Sequence, residues 1–263
     1  MDKHSRLIRP VREILLPLLI LLGFAASIRF VRLTWIVTTH ASAQKPAALG
    51  VENDPHYRLL MENGQVRVFA LTLPQGTQSF VRHEHNYLTI TLEQNEVIMW
   101  KDEESPIQHF RVPKGEVHFF FGGPAHGIRN DTGAEYRNVT IEFLDPRVTT
   151  YGYRYESGKY DYGAVALNPP VDPEGHFVNS LNLEKAEAKD VQLLPKESLP
   201  AAAGPQLLVA VTQSIFSSAN DSTISLKPGE VLWREGGAAA MPNNSTTPVR
   251  LAVIEFNTSD KKY

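Results

Sequence analysis

The chain repeats itself once. Lys114-Gly-Glu-Val117, Gly122-Gly123, Asn130 and Val139-Thr-Ile-Glu-Phe143 return in the same order as Pro228-Gly-Glu-Val231, Gly236-Gly237, Asn244 and Val253-Ile-Glu-Phe256. Further upstream, Asp54-Pro-His-Tyr57 is answered by Asp172-Pro173 and His176-Phe177. The offset stays near 115 to 120 residues, so the repeat spans almost everything after residue 50. A single strand finds chance look-alikes easily, but an ordered series of turn and strand landmarks does not. Both copies must therefore reach the same fold within roughly 95 residues each. This divides the chain into one unit at 51–148 and a second at 172–258. Between them, at 149–171, lies a connector rich in Tyr, Gly and Pro. Its tyrosines Tyr151, Tyr153, Tyr155, Tyr160 and Tyr162 read either as an arm packed across the partner unit or as plain extended linker.

The segments of the repeat are short, β-branched and aromatic. Tyr57-Arg-Leu-Leu-Met61, Val66 to Leu73, Tyr87 to Leu92, Glu96 to Trp100 and Asn138 to Phe143 read as strands. Glu62-Asn-Gly64, Pro74-Gln-Gly76 and Gly122-Gly-Pro124 read as the turns between them. Only Glu184 to Lys189 favours a helix, and it is too short to hold one alone. The expectation is an all-β protein made of two small antiparallel barrels or jelly rolls in tandem.

The first forty residues follow a different logic. Lys3, Arg6, Arg9 and Arg12 precede an apolar run from Ile14 to Ile28, and Ala41-Ser-Ala43 ends the segment. A basic start, an apolar middle and an A-x-A end make 1–43 a secretory signal peptide cut after Ala43. The alternative is an uncleaved anchor, although about 15 apolar residues are short for a span that usually needs about 20. Either reading puts the folded part outside the cytoplasm, periplasmic or extracellular, with membrane contact only through the N-terminus. The net charge of −3 offers nothing to nucleic acid, and the absence of cysteine excludes disulfides, thiolate metal sites and a cysteine nucleophile.

Gly115, Gly123, His126 and Asn130 stand at the spacing G-x5-P-x-G-x2-H-x3-N, with Phe121 at the proline position. This resembles the second motif of the cupins, and the internal repeat makes the chain similar to the bicupins. The first cupin motif, G-x5-H-x-H-x3,4-E-x6-G, is opened by Gly76 and centred on His83-Glu-His85-Asn-Tyr87. Aligned on the following strand, its two histidine positions fall on Val81 and His83 and its glutamate on Tyr87. Shifted by two, His83 and His85 form the pair and the glutamate falls at Thr89 or Ile90. The acidic ligand is absent in both registers.

If His83 and His85 lie on one strand, they project to the same side and Glu84 to the other. Turned inward, they meet His126, and three neutral imidazoles make a site for a divalent Zn, Fe, Mn, Ni or Cu ion. Tyr87 continues that face as a hydrogen-bond donor, an acid or a weak metal ligand. In the plainer reading, His83 and His85 are polar residues at the barrel mouth that hold no metal. His118, His109, His56 and His176 read as packed or surface histidines, and Asn130 as a residue that fixes a turn. In the second copy Ala240 stands where His126 does, and Ala201-Ala-Ala-Gly-Pro205 replaces the His83–His85 stretch. That barrel is expected to be structural, its ligand place closed by apolar side chains such as Leu207, Val209, Val211, Leu232 and Leu251. The cupin resemblance implies a metal-dependent enzyme acting on a small molecule, of dioxygenase or isomerase/lyase type. The alternatives are a non-catalytic bicupin that binds a small molecule or serves as a scaffold, and a structural barrel pair acting through homo-oligomer or cell-surface contacts.

Overall fold

The computed structural model describes residues 47–101, 108–150, 165–167, 175–218, 220 and 222–257. Segment 1–43, expected to be a signal peptide, and the connector tyrosines lie outside the described residues. Among the described residues no helix is long and apolar enough to cross a membrane.

Among the described residues twenty strands follow in order. The first half has β1 (Leu49–Gly50), β2 (Tyr57–Glu62), β3 (Val66–Leu73), β4 (Gln78–Arg82), β5 (Tyr87–Thr91), β6 (Asn95–Lys101), β7 (Gln108–Val112), β8 (Val117–Phe120), β9 (Ala125–Arg129) and β10 (Tyr136–Phe143). The connector contributes β11 (Val165–Leu167). The second half has β12 (Phe177–Asn182), β13 (Ala186–Leu193), β14 (Ser198–Leu199), β15 (Gln206–Ala210), β16 (Ser214–Ser217), β17 (Thr223–Leu226), β18 (Val231–Arg234), β19 (Met241–Pro242) and β20 (Val249–Phe256). The strands read from sequence are all present. Of the helix-favouring residues 184–189, Glu184 and Lys185 form the bend before β13 and 186–189 enter it, because pairing with β12 and β20 on both sides outweighs a weak local preference.

The protein is all-β, with two jelly rolls in tandem. The first half forms a sheet in the order β1-β4-β9-β6-β7 facing a six-stranded one, β11-β8-β5-β10-β3-β2. In the second half the large sheet runs β12-β13-β20-β15-β18, with the short ladders β14-β19 and β16-β17 completing the roll. The two large sheets pack against each other. Val66, Val68, Leu88, Ile90, Val139, Ile141 and Phe143 share one apolar cluster with Ala186, Ala188, Leu207, Val209, Ala252, Ile254 and Phe256. Each barrel keeps a core of its own: Leu71, Leu73, Val97, Ile128 and Tyr136 in the first, Leu193, Leu208, Phe216, Leu251 and Val253 in the second.

One charged pair lies within this junction. Arg250 donates from Nε and Nη2 to the two carboxylate oxygens of Asp190 at 2.8 and 2.7 Å, and from Nη1 to the Lys114 carbonyl of the first half at 3.0 Å. The Asp190 side chain is 1% exposed. Removing one partner of a buried ion pair leaves the other charge without compensation. Asp190→Ala is therefore expected to lower stability by about 3–5 kcal/mol, read from urea denaturation. A loss within the range of an exposed pair, under about 1 kcal/mol, would refute the buried role.

Candidate functional site

Strand alternation decides what points into the first barrel. Val139, Ile141 and Phe143 of β10 belong to the inter-barrel core, so Asn138, Thr140 and Glu142 face inward. By the same rule Tyr87 and Thr89 of β5, and His118 and Phe120 of β8, line the interior. His126 comes from β9, and His83 follows the last residue of β4.

These side chains form a row of near-parallel rings. His83 stacks on Tyr87 with centroids 4.0 Å apart and lies 5.4 Å from the His126 ring. Tyr87 continues to Phe120 at 5.1 Å, and Phe120 to His118 at 4.3 Å. His83, Tyr87 and His126 are all buried.

A polar chain runs behind the row. Arg67 on β3 and Glu142 on β10 are directly opposite in the ladder, and Arg67 Nη1 lies 3.4 Å from Glu142 Oε2. The other carboxylate oxygen, Oε1, is 2.9 Å from His83 Nδ1. A carboxylate there accepts, so Nδ1 carries the proton and Nε2 presents its lone pair. Nε2 is buried and has no hydrogen-bond partner among the described residues. Burial, and next the nearby Arg67, hold the His83 pKa well below its ordinary value. Burial, assisted by His83, lowers the His126 pKa to about 3. Burial pushes the Glu142 carboxyl up, while Arg67 and then His85 act in the opposite direction. Both imidazoles of the pair are neutral at pH 7.

His85 does not join the row. β4 ends at Arg82, and His83 to Asn86 form a bend, so the same-face rule for residues two apart does not hold here. His83 turns inward, Glu84 is exposed as expected, and His85 is only partly buried. The Gly122-Gly123 landmark explains the shape of this bend. Gly123 N–H donates to the His83 carbonyl at 2.7 Å, and a Cβ at Gly122 would collide with the His85 backbone. The glycines let two loops close on each other. Asn130 fixes its turn, donating to the Leu73 and Ala134 carbonyls at 2.9 and 2.7 Å.

The donor chemistry of His83 and His126 suits a borderline divalent ion, and a carboxylate behind a histidine is a common support for a metal ligand. The count stops short. Among the described residues no group of three or more His, Cys, Asp or Glu side chains is placed to hold a metal ion. Catalytic zinc sites use three protein ligands. The side chains as arranged do not fit a resident metal, and no chemistry is derived through one. Sequence reasoning misses Glu142 and Arg67, because Asn138 to Phe143 stands out there only as a strand and a repeat landmark. The signal available was an acidic residue at an inward position of a strand buried on both faces.

The second barrel shows the same frame with different contents. Gly237 N–H donates to the Ala202 carbonyl at 2.8 Å, as Gly123 does to His83, so Ala202 takes the place of His83. Gln206 pairs with Glu255 and Arg234, as Tyr87 pairs with Glu142 and Phe120. The expected apolar filling is not what closes this place. Arg234 does, donating to Gln206 Oε1 at 2.8 Å and to the Ala239 carbonyl at 2.6 Å, with the Pro200 carbonyl at 3.3 Å. Replacing rings with alanines leaves a hollow edged by backbone carbonyls, and a long side chain with several donors fills the volume and satisfies the acceptors together. Leu207, Val209 and Val211 are buried on the opposite face, in the inter-barrel core, while Leu251 and Leu232 do pack inside the second barrel.

No protein-family model matches the chain, and no curated protein matches it. Solved structures do. The AerE structure from Microcystis aeruginosa superposes with a TM-score of 0.56 at 11% identity, covering 80% of this chain and 97% of that one. A cupin 2 conserved barrel domain protein from Leptotrichia buccalis gives 0.51 at 9% identity, with 76% and 88% covered. Salicylate 1,2-dioxygenase from Pseudoaminobacter salicylatoxidans, as adducts with gentisate, gives 0.51 at 13% identity, with 84% and 78% covered. At such identities the likeness is one of fold: the chain has the bicupin fold, two cupin-type barrels in tandem.

The neutral buried histidines predict a pH dependence. The unfolded chain binds a proton at His126 near its ordinary 6.5, whereas the folded chain waits until about 3. Stability from this source is complete above about pH 6.5 and is lost as the pH falls toward 3. Glu142, with its pKa raised, contributes in the opposite sense above its ordinary value of 4.5. Thermal melts between about pH 7.5 and about pH 4 should show a falling Tm, and His126→Phe should flatten the slope. Parallel curves for the two proteins would refute a neutral buried His126.

Proposed function

We propose that the protein binds a small molecule in its first barrel, through the lone pairs of two neutral histidines, and that its second barrel is a support. The observation that carries this reading is the His83 Nε2 atom, buried and unpartnered beside His126. A buried acceptor without a donor costs about 1–3 kcal/mol, which a ligand O–H or N–H recovers. Imidazoles this hard to protonate are weak general bases near neutral pH, where a useful base has a pKa close to 7. They serve better as hydrogen-bond acceptors. Arg67 and Glu142 act as positioning residues that fix the His83 tautomer, and Tyr87 supports the ring from one side. We include export in the proposal on the strength of the N-terminal sequence.

A second reading is a metal-dependent enzyme of dioxygenase or isomerase/lyase type. The carboxylate behind His83 favours it, and similar folds include salicylate 1,2-dioxygenase and oxalate decarboxylase. Three measurements on the full chain separate the readings: elemental analysis as purified, visible spectra during Co²⁺ titration, and long-range ¹H–¹⁵N spectra of the histidines with phenol as an O–H donor probe. The first reading expects metal far below one per chain, no cobalt ligand-field band, and a saturable shift at His83 Nε2. That shift should vanish in His83→Ala. Stoichiometric metal lost in both His83→Ala and His126→Ala would overturn it in favour of the second.

A further inference from the structure

The junction between the barrels is built twice, once from each copy, and the two versions differ in one charge. On one side Arg250 donates to the Lys114 carbonyl at 3.0 Å, with Gly115 so close beneath the guanidinium that a Cβ there would collide with it. On the other side Arg137 donates from Nη2 to the Pro228 carbonyl at 3.4 Å, beside Gly229. The ladders make the two arginines equivalent. Arg250 is opposite Gln192 and Ala252 opposite Asp190, just as Arg137 is opposite Thr72 and Val139 opposite Ala70.

Asp190 neutralises Arg250 with a two-oxygen contact, and Ala70 stands where the matching acid would be. Arg137 is left with Glu135, whose half-exposed carboxylate is 4.0 Å from Nε. Next to Arg137 the structure opens into a cavity of about 460 Å³ lined by Ala70, Thr72, Arg58, Lys227, Leu92 and Glu230, among others. Glu230, the one acid among the described lining residues, already accepts from the Lys227 backbone N–H at 2.8 Å. Among the described residues Arg58 and Lys227 form no ion pair. Three cations therefore meet beside apolar lining, in the one copy of the junction that lacks its carboxylate.

We propose that this cleft binds a small carboxylate with a short apolar body, its carboxylate taking the position at Arg137 that Asp190 takes at Arg250. Arginine and carboxylate match as a planar two-bond pair, which selects this anion over a point charge. Arg58 and Lys227 add attraction at the rim, and Leu92 and its apolar neighbours receive the body of the ligand. The volume is that of a small-molecule site, which runs from about 300 to 1,000 Å³. The inference does not depend on the reading of the first barrel.

The test uses the full chain, with butyrate as the probe and 1-butanol as its uncharged counterpart. Butyrate should shift the amide resonances of Thr72 and Gly229 saturably and raise the Tm, and 1-butanol should do neither. Arg137→Gln should weaken butyrate at least about tenfold, the equivalent of one lost charge-assisted hydrogen bond. Ala70→Asp supplies the missing acid from the chain itself, so it should raise the Tm without ligand and abolish the butyrate response. No saturable response, equal affinity in Arg137→Gln, or a lower Tm in Ala70→Asp would each overturn the proposal. Sulfate binding as tightly as butyrate would overturn the assignment to a carboxylate.

Discussion

Burial on both faces of the central strands is the constraint on which the rest of the structure depends. Strand β10 gives Val139, Ile141 and Phe143 to the core between the barrels, and β20 gives Ala252, Ile254 and Phe256 to the same core from the other side. With that face committed, the alternate residues have nowhere to go but the barrel interiors. A slip of one residue would exchange the two sets and push Glu142 and Thr140 into the apolar junction. The register is therefore held by the junction, and polar side chains inside the first barrel are a consequence. Each then needs a partner: Glu142 has His83 and Arg67, and Thr140 donates to Asn138 at 3.1 Å.

The two copies show how one frame carries different contents. The same cross-strand positions hold Tyr87 and Phe120 in one barrel and Gln206 and Arg234 in the other. In the first, flat rings stack and leave the Nε2 atoms of His83 and His118 without a partner. In the second, a guanidinium donates to Gln206 Oε1 and to the carbonyls of Ala239 and Pro200 around the hollow. The junction repeats the pattern in reverse, since here the second copy has the complete pair, Arg250 with Asp190, and the first copy the incomplete one. Packing density and hydrogen-bond satisfaction must be met at every buried position, so a change at one residue is answered by its spatial neighbours. The places left short, with no partner at His83 Nε2 and only the half-exposed Glu135 carboxylate at Arg137, are where ligand chemistry can enter.

Much of the fold was legible in the chain itself. The repeat announced two copies of one unit, β-branched runs marked the strands, and the spacing of Gly115, Gly123, His126 and Asn130 pointed to a cupin. These signals are local: a strand alternates every two residues, a tight turn needs glycine, and a buried amide fixes a loop wherever it occurs. His83 and His126 stand out in the chain through their places in the two cupin-like motifs, and the fold brings their rings to 5.4 Å.

Other features depended on contacts between residues far apart in sequence. Alternation carried His83 and His85 to the same side only while the strand lasted, and the chain bends after Arg82 to close on Gly122. Glu142 became the partner of His83, and Arg67 the neighbour of Glu142, through residues 59 apart in one case and a long-range ladder in the other. Arg234 as the plug of the second barrel follows from a volume that exists only once the sheets have closed. The sequence by itself determined which segments become strands, how many copies there are and where backbones pass closely, because those follow from short-range sterics. The tertiary structure alone decided which side chains share a partner, which are left with none and which cavity lacks its charge, because those depend on how much space and how many acceptors the packed sheets leave.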